Sequence, residues 1–234
     1  MATNPKPRIA VAIGDAAGIG PEIALKAVAD PGVQAICRPT LVGDRSVLQL
    51  YADRIGLSMP DDIVDSGILD AAALTPGRTN ADAGRAILAY ASQAIAMARS
   101  GEADAVVACP QTQSSIKAAG IEFDGYPSFV ARETGTDPDD VFMMLASDRL
   151  RIAHVTLHLG IRAALDLIDG PRILRTLKAA DTALKRIGIA APRIAVSGVN
   201  PHAGEGGLFG TEEIDTVAPA IERARAAGID AHGP

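Results

Sequence analysis

The chain has no tryptophan, and aromatic residues make up only 3% of it, although hydrophobic residues make up 48%. An apolar content this high excludes a disordered protein. Because bulky rings are scarce, the core has to be built from Ala, Val, Ile and Leu, as is typical of α/β proteins with parallel sheets. The length of 234 residues is enough for one or two domains.

Cysteine and positive charge are also scarce. Cys37 and Cys109 are the only cysteines, which excludes a disulfide framework and a zinc knuckle and favours two inert thiols. The net charge is −6 and no basic cluster is visible, so we expect no nucleic-acid partner. No apolar run approaches the length of a membrane span, and the N-terminal run is too short for a signal peptide. These absences predict a protein of the reducing cytoplasm without a membrane partner.

Short apolar runs alternate with Ala-rich helical stretches along the chain. We predict strands at 8–14, 38–44, 103–110, 150–158 and 192–202, and helices at 21–30, 45–56, 80–103, 161–169, 171–187 and 211–227. Asn80 is the predicted cap of the longest helix and Gly101 its predicted stop, while 61–79 is expected to be irregular with short strands. The alternation predicts an α/β fold with a largely parallel sheet.

The stretch 14–22, GDAAGIGPE, reads as a turn between the first strand and the first helix. Its glycine spacing differs from the G-x-G-x-x-G of dinucleotide folds. We interpret it as a tight turn in which strand and helix pack closely. The alternative is an anion site at the helix N-terminus, which would make the protein a phosphate binder at Gly18–Glu22.

Two histidines follow predicted strands, at the edge where open α/β sheets bind their ligands. His158 closes the strand 150–158 and His202 closes the strand 192–202. Strands that end at one sheet edge can bring such residues together, so these imidazoles are candidates to bind one metal ion, with a third ligand still required. His154 would lie roughly 13 Å from His158 along the strand and is expected to be a packed residue. His232 is a weaker candidate.

The stretch 200–215, NPHAGEGGLFGTEEID, surrounds His202 with glycines and acids. Pro201 fixes the approach of the chain. The glycines let the loop fold tightly and let backbone amides approach a ligand. Thr211 is predicted to cap the last helix, with the acids that follow it favourable near the helix N-terminus.

These residues resemble the metal-dependent 4-hydroxythreonine-4-phosphate dehydrogenases of pyridoxal phosphate synthesis and their relatives. The similarity runs across the whole chain and is carried by GDAAGIGPEIALKA, ADAVVACP, AAGIEFDGYPSF, VFMMLASDRLRIAHVTLHLGIR and, most specifically, NPHAGEGGLFGTEEID. The resemblance implies a fold like that of isocitrate and isopropylmalate dehydrogenases, with two α/β domains around a cleft in a homodimer. It also implies oxidation of a hydroxyl by NAD, usually followed by loss of CO2 from a β-keto acid.

The resemblance further implies a divalent metal held by three histidines. The first falls on His158 and the second on His202. The third belongs to a His-Asp-Gln-Gly motif of the partner subunit, and this chain ends before that motif and before much of the NAD pocket. We therefore expect 1–234 to be one incomplete two-lobed α/β unit whose NAD-binding part is absent after Pro234. Zinc suits histidine ligands, with Mg, Mn or Co as alternatives, and no general base is assigned.

Two segments depart from the pattern of the biosynthetic enzyme. Where that enzyme carries Gly-Pro-Val-His-Lys-Gly, the segment 109–114 reads CPQTQS, and Gly-His-Thr is replaced by GYP. The family uses these positions for its substrate, which assigns substrate binding to Thr112, Gln113, Tyr126 and Pro127. Neutral side chains in the first segment remove the charge that a phosphate dianion would need. The GYPS sequence is instead similar to the branch that oxidises carboxylated aromatic cis-dihydrodiols, such as the terephthalate-derived diol.

We therefore predict an NAD- and divalent-metal-dependent dehydrogenase that acts on a hydroxy acid or a carboxylated cis-dihydrodiol and decarboxylates the product. The first alternative is 4-hydroxythreonine-4-phosphate dehydrogenase itself. The second is a non-catalytic binding module, which the missing third ligand would suit. A reading frame that supplies the His-Asp-Gln-Gly motif beyond Pro234 would favour the enzyme over the module.

Overall fold

Residues 5–234 are described by a computed structural model of the chain. They separate into two compact units, one that ends at Phe123 and one that spans Asp124–Pro234. Both units combine helices with parallel strands. The prediction of an α/β fold with a parallel sheet is confirmed.

The first unit is built on one four-stranded parallel sheet. Its elements in chain order are β1 (Arg8–Ala12), α1 (Gly20–Ala29), α2 (Pro31–Ile36), β2 (Arg38–Gly43), α3 (Arg45–Ile55), β3 (Ile63–Asp65), a 3₁₀ turn (Ala71–Ala73), α4 (Ala81–Ser100), β4 (Ala105–Ala108) and α5 (Gln113–Ala118). The strand order is β3-β2-β1-β4, and each neighbouring pair is parallel. Parallel neighbours need a crossover connection, which the intervening helices supply.

Small and branched aliphatic side chains fill the core of this unit, as the shortage of aromatics predicts. Ala10 and Leu41 on neighbouring strands are completely buried, as are Leu48 on α3 and Tyr90 on α4, and all four belong to one continuous cluster. The Tyr90 hydroxyl donates a hydrogen bond to the buried carboxylate of Asp44. Burial and this carboxylate raise the pKa of Tyr90, so its hydroxyl keeps its proton.

The longest helix, α4, begins and ends where the sequence predicts. The Asn80 side chain accepts hydrogen bonds from the backbone N–H groups of Asp82 at 2.8 Å and Ala83 at 3.0 Å. Gly101 ends the helix in the left-handed conformation, with φ +81°, which glycine adopts at little cost. The predicted cap and stop are both confirmed.

The glycine-rich turn 14–22 packs tightly between β1 and α1. A Cβ atom at Gly20 would lie 2.0 Å from the carbonyl oxygen of Ile13, so no larger residue fits there. The buried Asp15 carboxylate accepts a hydrogen bond from a backbone N–H group of the turn at 2.9 Å. The close backbone contact explains why Gly20 is a glycine, as the interpretation of a tight turn predicts. The Asp15 carboxylate in the same turn opposes the alternative interpretation, an anion site.

The second unit holds two small sheets. Its elements are α6 (Tyr126–Thr134), a 3₁₀ turn (Pro138–Asp140), β5 (Met144–Ala146), β6 (Arg151–Ala153), α7 (Ile161–Asp166), α8 (Gly170–Arg186), β7 (Arg193–Ala195), an irregular turn (Pro201–Gly207), a π-helical turn (Glu213–Val217), α9 (Ala218–Ala226) and β8 (Asp230–His232). Strands β5 and β6 are antiparallel, whereas β7 and β8 are parallel. The core lies between α8 and α9, where Ile173, Leu177, Ile221 and Ala224 are buried in one cluster.

The predictions of two strands that end in histidine are wrong over much of the predicted length. The predicted strand 150–158 stops at Ala153, because its antiparallel partner β5 supplies only three paired residues. The predicted strand 192–202 likewise shortens to β7, which pairs with the three residues of β8. His158 and His202 therefore lie in loops. They do not share a sheet edge, since β6 and β7 belong to different sheets.

Thr211 directly precedes the last helical segment, which begins at Glu212, so it occupies the predicted capping position. Glu212 makes no side-chain capping bond. The carbonyl oxygen of Thr211 accepts a hydrogen bond from the N–H group of Asp215 at 2.8 Å. An acid of this segment, Glu213, instead turns back towards the loop before it.

Both cysteines behave as packed thiols, as predicted. Burial raises the pKa of the Cys109 thiol to about 11, so it stays protonated near neutral pH. Cys37 is half-buried, and its sulfur lies 3.4 Å from the carbonyl oxygen of Val33. Across residues 5–234, every helix is too short or too polar to span a bilayer.

Replacement of Gly84 in α4 by alanine should destabilise the first unit, although alanine is the better helix former. A Cβ atom there would lie 2.0 Å from the carbonyl oxygen of Ser115 in α5, and such overpacking costs about 1–3 kcal/mol. Helix propensity alone predicts stabilisation by about 1 kcal/mol. Urea unfolding followed by circular dichroism gives the sign, and a more stable variant would show that this helix contact is not tight.

Candidate functional site

The first candidate ligand, His158, is exposed on a strained loop. Its backbone has φ +48°, a left-handed conformation that is uncommon for residues other than glycine. The loop follows β6 and precedes α7, so no strand fixes this residue. What holds the imidazole in place must therefore come from its neighbours in the second unit.

One such neighbour is Gly125, which immediately precedes α6. It is buried and has φ +121°. A Cβ atom at this glycine would lie 2.9 Å from Nδ1 and 3.1 Å from Cε1 of His158. The imidazole therefore packs directly on the glycine Cα atom. The sequence analysis assigned no role to Gly125, although it stands next to the predicted substrate residues Tyr126 and Pro127.

The second candidate ligand, His202, begins a left-handed turn. The five consecutive residues 202–206 have φ between +45° and +80°. Three of them, His202, Ala203 and Glu205, are not glycine. A left-handed helical conformation costs roughly 1–2 kcal/mol for each such residue. The surrounding structure has to offset this cost for the turn to persist.

A buried carboxylate adjoins this turn. Glu213 is 3% exposed and accepts hydrogen bonds from the backbone N–H groups of Val199 at 2.6 Å and Asn200 at 2.7 Å, and from Nδ2 of Asn200 at 2.9 Å. The donors of Asn200, together with that of Val199, lower the pKa of the Glu213 carboxyl to about 2. The group is therefore ionised at neutral pH.

Both histidine loops leave the same hydrophobic core. Val155, which precedes His158 in the first loop, and Val199, which precedes His202 in the second, pack against the cluster between α8 and α9. The two histidine loops are therefore connected through one hydrophobic core and not, as the sequence predicted, through one sheet edge. Whether the two imidazoles meet at one ion stays a prediction.

The other histidines have structural surroundings. His154 is half-buried, its backbone N–H group donates to the carbonyl oxygen of Met143 at 3.0 Å, and its Nδ1 lies 3.4 Å from the same oxygen. This agrees with the prediction of a packed residue. His232 lies in β8, with Nδ1 3.5 Å from a carboxylate oxygen of Asp230.

The predicted substrate residues occupy the starts of two helices. In the first unit, Thr112 directly precedes α5 without making a side-chain capping bond, and Gln113 is the exposed first residue of that helix. In the second unit, Tyr126 and Pro127 are the half-buried first two residues of α6. The Tyr126 ring meets that of Phe129 edge-on at 6.4 Å. These roles stay predictions.

The donor chemistry fits part of a metal site. Two exposed neutral imidazoles are suitable ligands for zinc and for most first-row divalent ions. A catalytic zinc takes three protein ligands, and within the described part of the chain no three His, Cys, Asp or Glu side chains are grouped to hold an ion. The two histidines could therefore supply two of the three ligands.

The sequence model of one family, described as pyridoxal phosphate biosynthetic protein PdxA, matches residues 35–234. Among curated relatives, a 4-hydroxythreonine-4-phosphate dehydrogenase from Desulforapulum autotrophicum is 38% identical and aligns with 99% of this chain and 73% of its own length. A D-threonate 4-phosphate dehydrogenase from Cupriavidus necator is also 38% identical, over 97% of this chain and 73% of its own.

A solved structure adds a third chemistry. A terephthalate 1,2-cis-dihydrodiol dehydrogenase from Burkholderia xenovorans is 44% identical, with a TM-score of 0.68, over 98% of this chain and 74% of its own. The matched proteins thus include two that are named for phosphorylated substrates and one that is named for a dihydrodiol.

Replacement of Gly125 by alanine should weaken zinc binding about tenfold, in the range typical of residues that orient metal ligands. The new methyl group would displace the His158 ring, which lies 2.9 Å from the Cβ position. Gly135 ends the same helix with φ +67° and has no atom within 4 Å of its Cβ position. Gly135→Ala is therefore the control for a methyl group that is added to a glycine of positive φ and contacts nothing. Competition with a chromophoric chelator measures both, and equal affinities would exclude a role for the contact.

Proposed function

The chain belongs to the family of pyridoxal phosphate biosynthetic protein PdxA, and from this we propose an NAD- and divalent-metal-dependent dehydrogenase. Its relatives are named as dehydrogenases, and the prediction that the chain is an oxidoreductase is confirmed. The proposed substrate is a hydroxy acid or a carboxylated cis-dihydrodiol, whose β-keto product then loses CO2.

The placement of the two histidines supports this proposal most. His158 and His202 are both exposed, both have left-handed backbone conformations, and both follow residues that pack on one core. Strained backbone at exposed polar residues tends to persist at functional sites. Metal ligation gives these residues a role that packing does not require.

In the proposed reaction, His158 and His202 would hold a divalent ion beside the substrate. A bound divalent ion would supply Lewis acidity that favours loss of the hydroxyl proton and stabilises negative charge during decarboxylation. When bound, NAD would supply the acceptor for the hydride of the carbon that bears the hydroxyl, and the hydroxyl proton would leave to a base that we do not assign. Phe209, half-exposed with its ring 6.2 Å from that of His202, would help to exclude water.

Charge favours a carboxylated diol over a phosphorylated substrate. The predicted substrate residues Thr112, Gln113, Tyr126 and Pro127 carry no positive charge, whereas a phosphate dianion is best held by charged donors. The 44% identity to a terephthalate dihydrodiol dehydrogenase supports the same choice. The second candidate is 4-hydroxythreonine-4-phosphate dehydrogenase, which the 38% identical relative of that name favours.

We also propose a cytoplasmic homodimer with an isocitrate dehydrogenase-like arrangement of two domains. Leu145 on β5 and Ile152 on β6 face each other across the hairpin and are 54% and 46% exposed. Leu150 beside them is 60% exposed. An apolar patch of this kind suits contact with a second copy of the chain, and sedimentation velocity measures the oligomeric state.

A substrate panel tests the proposed chemistry. Purified full-length protein, including any segment that its gene encodes after Pro234, is incubated with NAD and zinc, and then separately with a carboxylated cis-dihydrodiol, 4-hydroxythreonine 4-phosphate and D-threonate 4-phosphate. We expect the dihydrodiol to give the fastest formation of NADH. Preference for either phosphate ester would transfer the proposal to that substrate, and zinc binding without any turnover would favour the non-catalytic module.

His202→Ala should abolish turnover and lower the bound zinc, because it removes one of the two proposed ligands from this chain. The matched control is His154→Ala, since His154 is half-buried and contacts the Met143 carbonyl group. Metal content is measured by elemental analysis alongside NADH formation. Unchanged zinc and turnover in the His202 variant would remove the metal site from the proposal.

A further inference from the structure

We propose that Glu213 is a positioning residue for the metal site, and that its carboxylate holds the turn 202–206 in the left-handed form that presents His202. This inference rests on the proposed function, because it gives His202 a ligand role. Glu213 itself does not touch the ion. It acts on the backbone that carries the imidazole.

The carboxylate is placed where the turn begins. Its Oε1 atom accepts from the N–H groups of Val199 and Asn200, the residues that lead into Pro201, and its Oε2 atom accepts from Nδ2 of Asn200. Three donors on one buried carboxylate define the direction in which the chain enters the turn. The acceptor is remote in sequence from the donors, so the bonds fix the loop against the helical segment that follows it.

Two glycines leave room for this carboxylate. A Cβ atom at Gly204 would lie 2.9 Å from Oε2 of Glu213, and one at Gly198 would lie 3.2 Å from Oε1. Gly198 precedes the turn and Gly204 lies in its middle. The turn therefore wraps around the carboxylate, and the glycines of the segment serve Glu213 as well as backbone conformation.

The adjacent acid provides an internal comparison. Glu212 also accepts from Nδ2 of Asn200, at 2.7 Å, but its side chain is exposed. Within residues 5–234, the backbone N–H groups that lead into the turn donate to Glu213 and not to Glu212. Exposed polar contacts contribute little because water competes for them. Two neighbouring glutamates thus have different roles, and only the buried one is expected to position His202.

Glu213→Gln is the direct test, with Glu212→Gln as its matched control. Glutamine keeps the size of the side chain and one oxygen that can accept from Val199 and Asn200, but it removes the charge and places an NH2 group against the Nδ2 donor of Asn200. We expect the zinc affinity of the Glu213 variant to fall about tenfold or more and that of the control to change less than about twofold. Equal affinities in the two variants would overturn the proposal.

A rescue pair separates positioning from general stability. Glu205 is exposed and has φ +45°, so Glu205→Gly relieves strain in the turn, whereas Glu205→Ala removes the same charge and leaves the strain. In the Glu213→Gln background, glycine should restore most of the zinc affinity and alanine should not. Equal effects of glycine and alanine would contradict a role in the turn.

Two further measurements keep the outcome decisive. If Glu213→Gln fails to fold, Asn200→Ala removes only one of the three donors, and unchanged zinc affinity in that variant would overturn the proposal. If His202→Ala leaves zinc binding unchanged, the proposed metal site fails by itself. The Cε1–H resonance of His202 then reports the turn: it should move in Glu213→Gln and not in Glu212→Gln, and a resonance at the parental position would reject the role of Glu213.

Discussion

Left-handed backbone at residues that carry side chains is the constraint on which the second unit depends. His158, His202, Ala203 and Glu205 all lie in this region of conformational space, where L-residues clash with their own backbone. Neither histidine is held by a strand. Each instead depends on a neighbour of unusual character, a buried glycine for His158 and a buried carboxylate for the turn of His202. Without those neighbours, nothing would offset the cost of these backbone conformations at the histidines.

The first unit uses a buried carboxylate in the same way. Asp44, 1% exposed, accepts hydrogen bonds from the backbone N–H groups of Ile68 at 2.7 Å and Leu69 at 3.0 Å, and from the hydroxyl of Tyr90. These bonds fix the irregular segment between β3 and α4 against the sheet. A core of small aliphatic side chains fills volume but gives little direction to loops, since dispersion and the hydrophobic effect are not directional. In each unit a buried acidic side chain that accepts backbone N–H groups supplies that direction, Asp44 in the first and Glu213 in the second.

The sequence predicted what short-range chemistry determines and missed what distant neighbours determine. Helix α4, with its Asn80 cap and Gly101 stop, follows from local hydrogen bonding and backbone freedom. The strands before His158 and His202 were drawn too long, because an apolar run does not reveal how many residues its partner strand offers for pairing. The short helices α2, α5 and α6 were missed, since six to nine residues give little periodicity. The sequence singled out the two histidines as candidates, but no local pattern reveals the contact of Gly125 with His158 or the bonds of Glu213 to Val199 and Asn200.

This division between local and distant determinants bears on substrate choice. Gln113 is an exposed first helical residue and Thr112 makes no capping bond, so neither side chain has a structural duty that would resist replacement. Gly125 and Glu213 are different, because a larger residue at the first meets the His158 ring and a residue without an acceptor at the second leaves backbone donors unpaired. A family that keeps the two histidine loops can therefore change residues such as Thr112 and Gln113 at little cost in stability. Relatives named for phosphate esters and for a dihydrodiol share this scaffold, and under the proposed substrate roles of Thr112 and Gln113 the charge at these positions would distinguish their substrates.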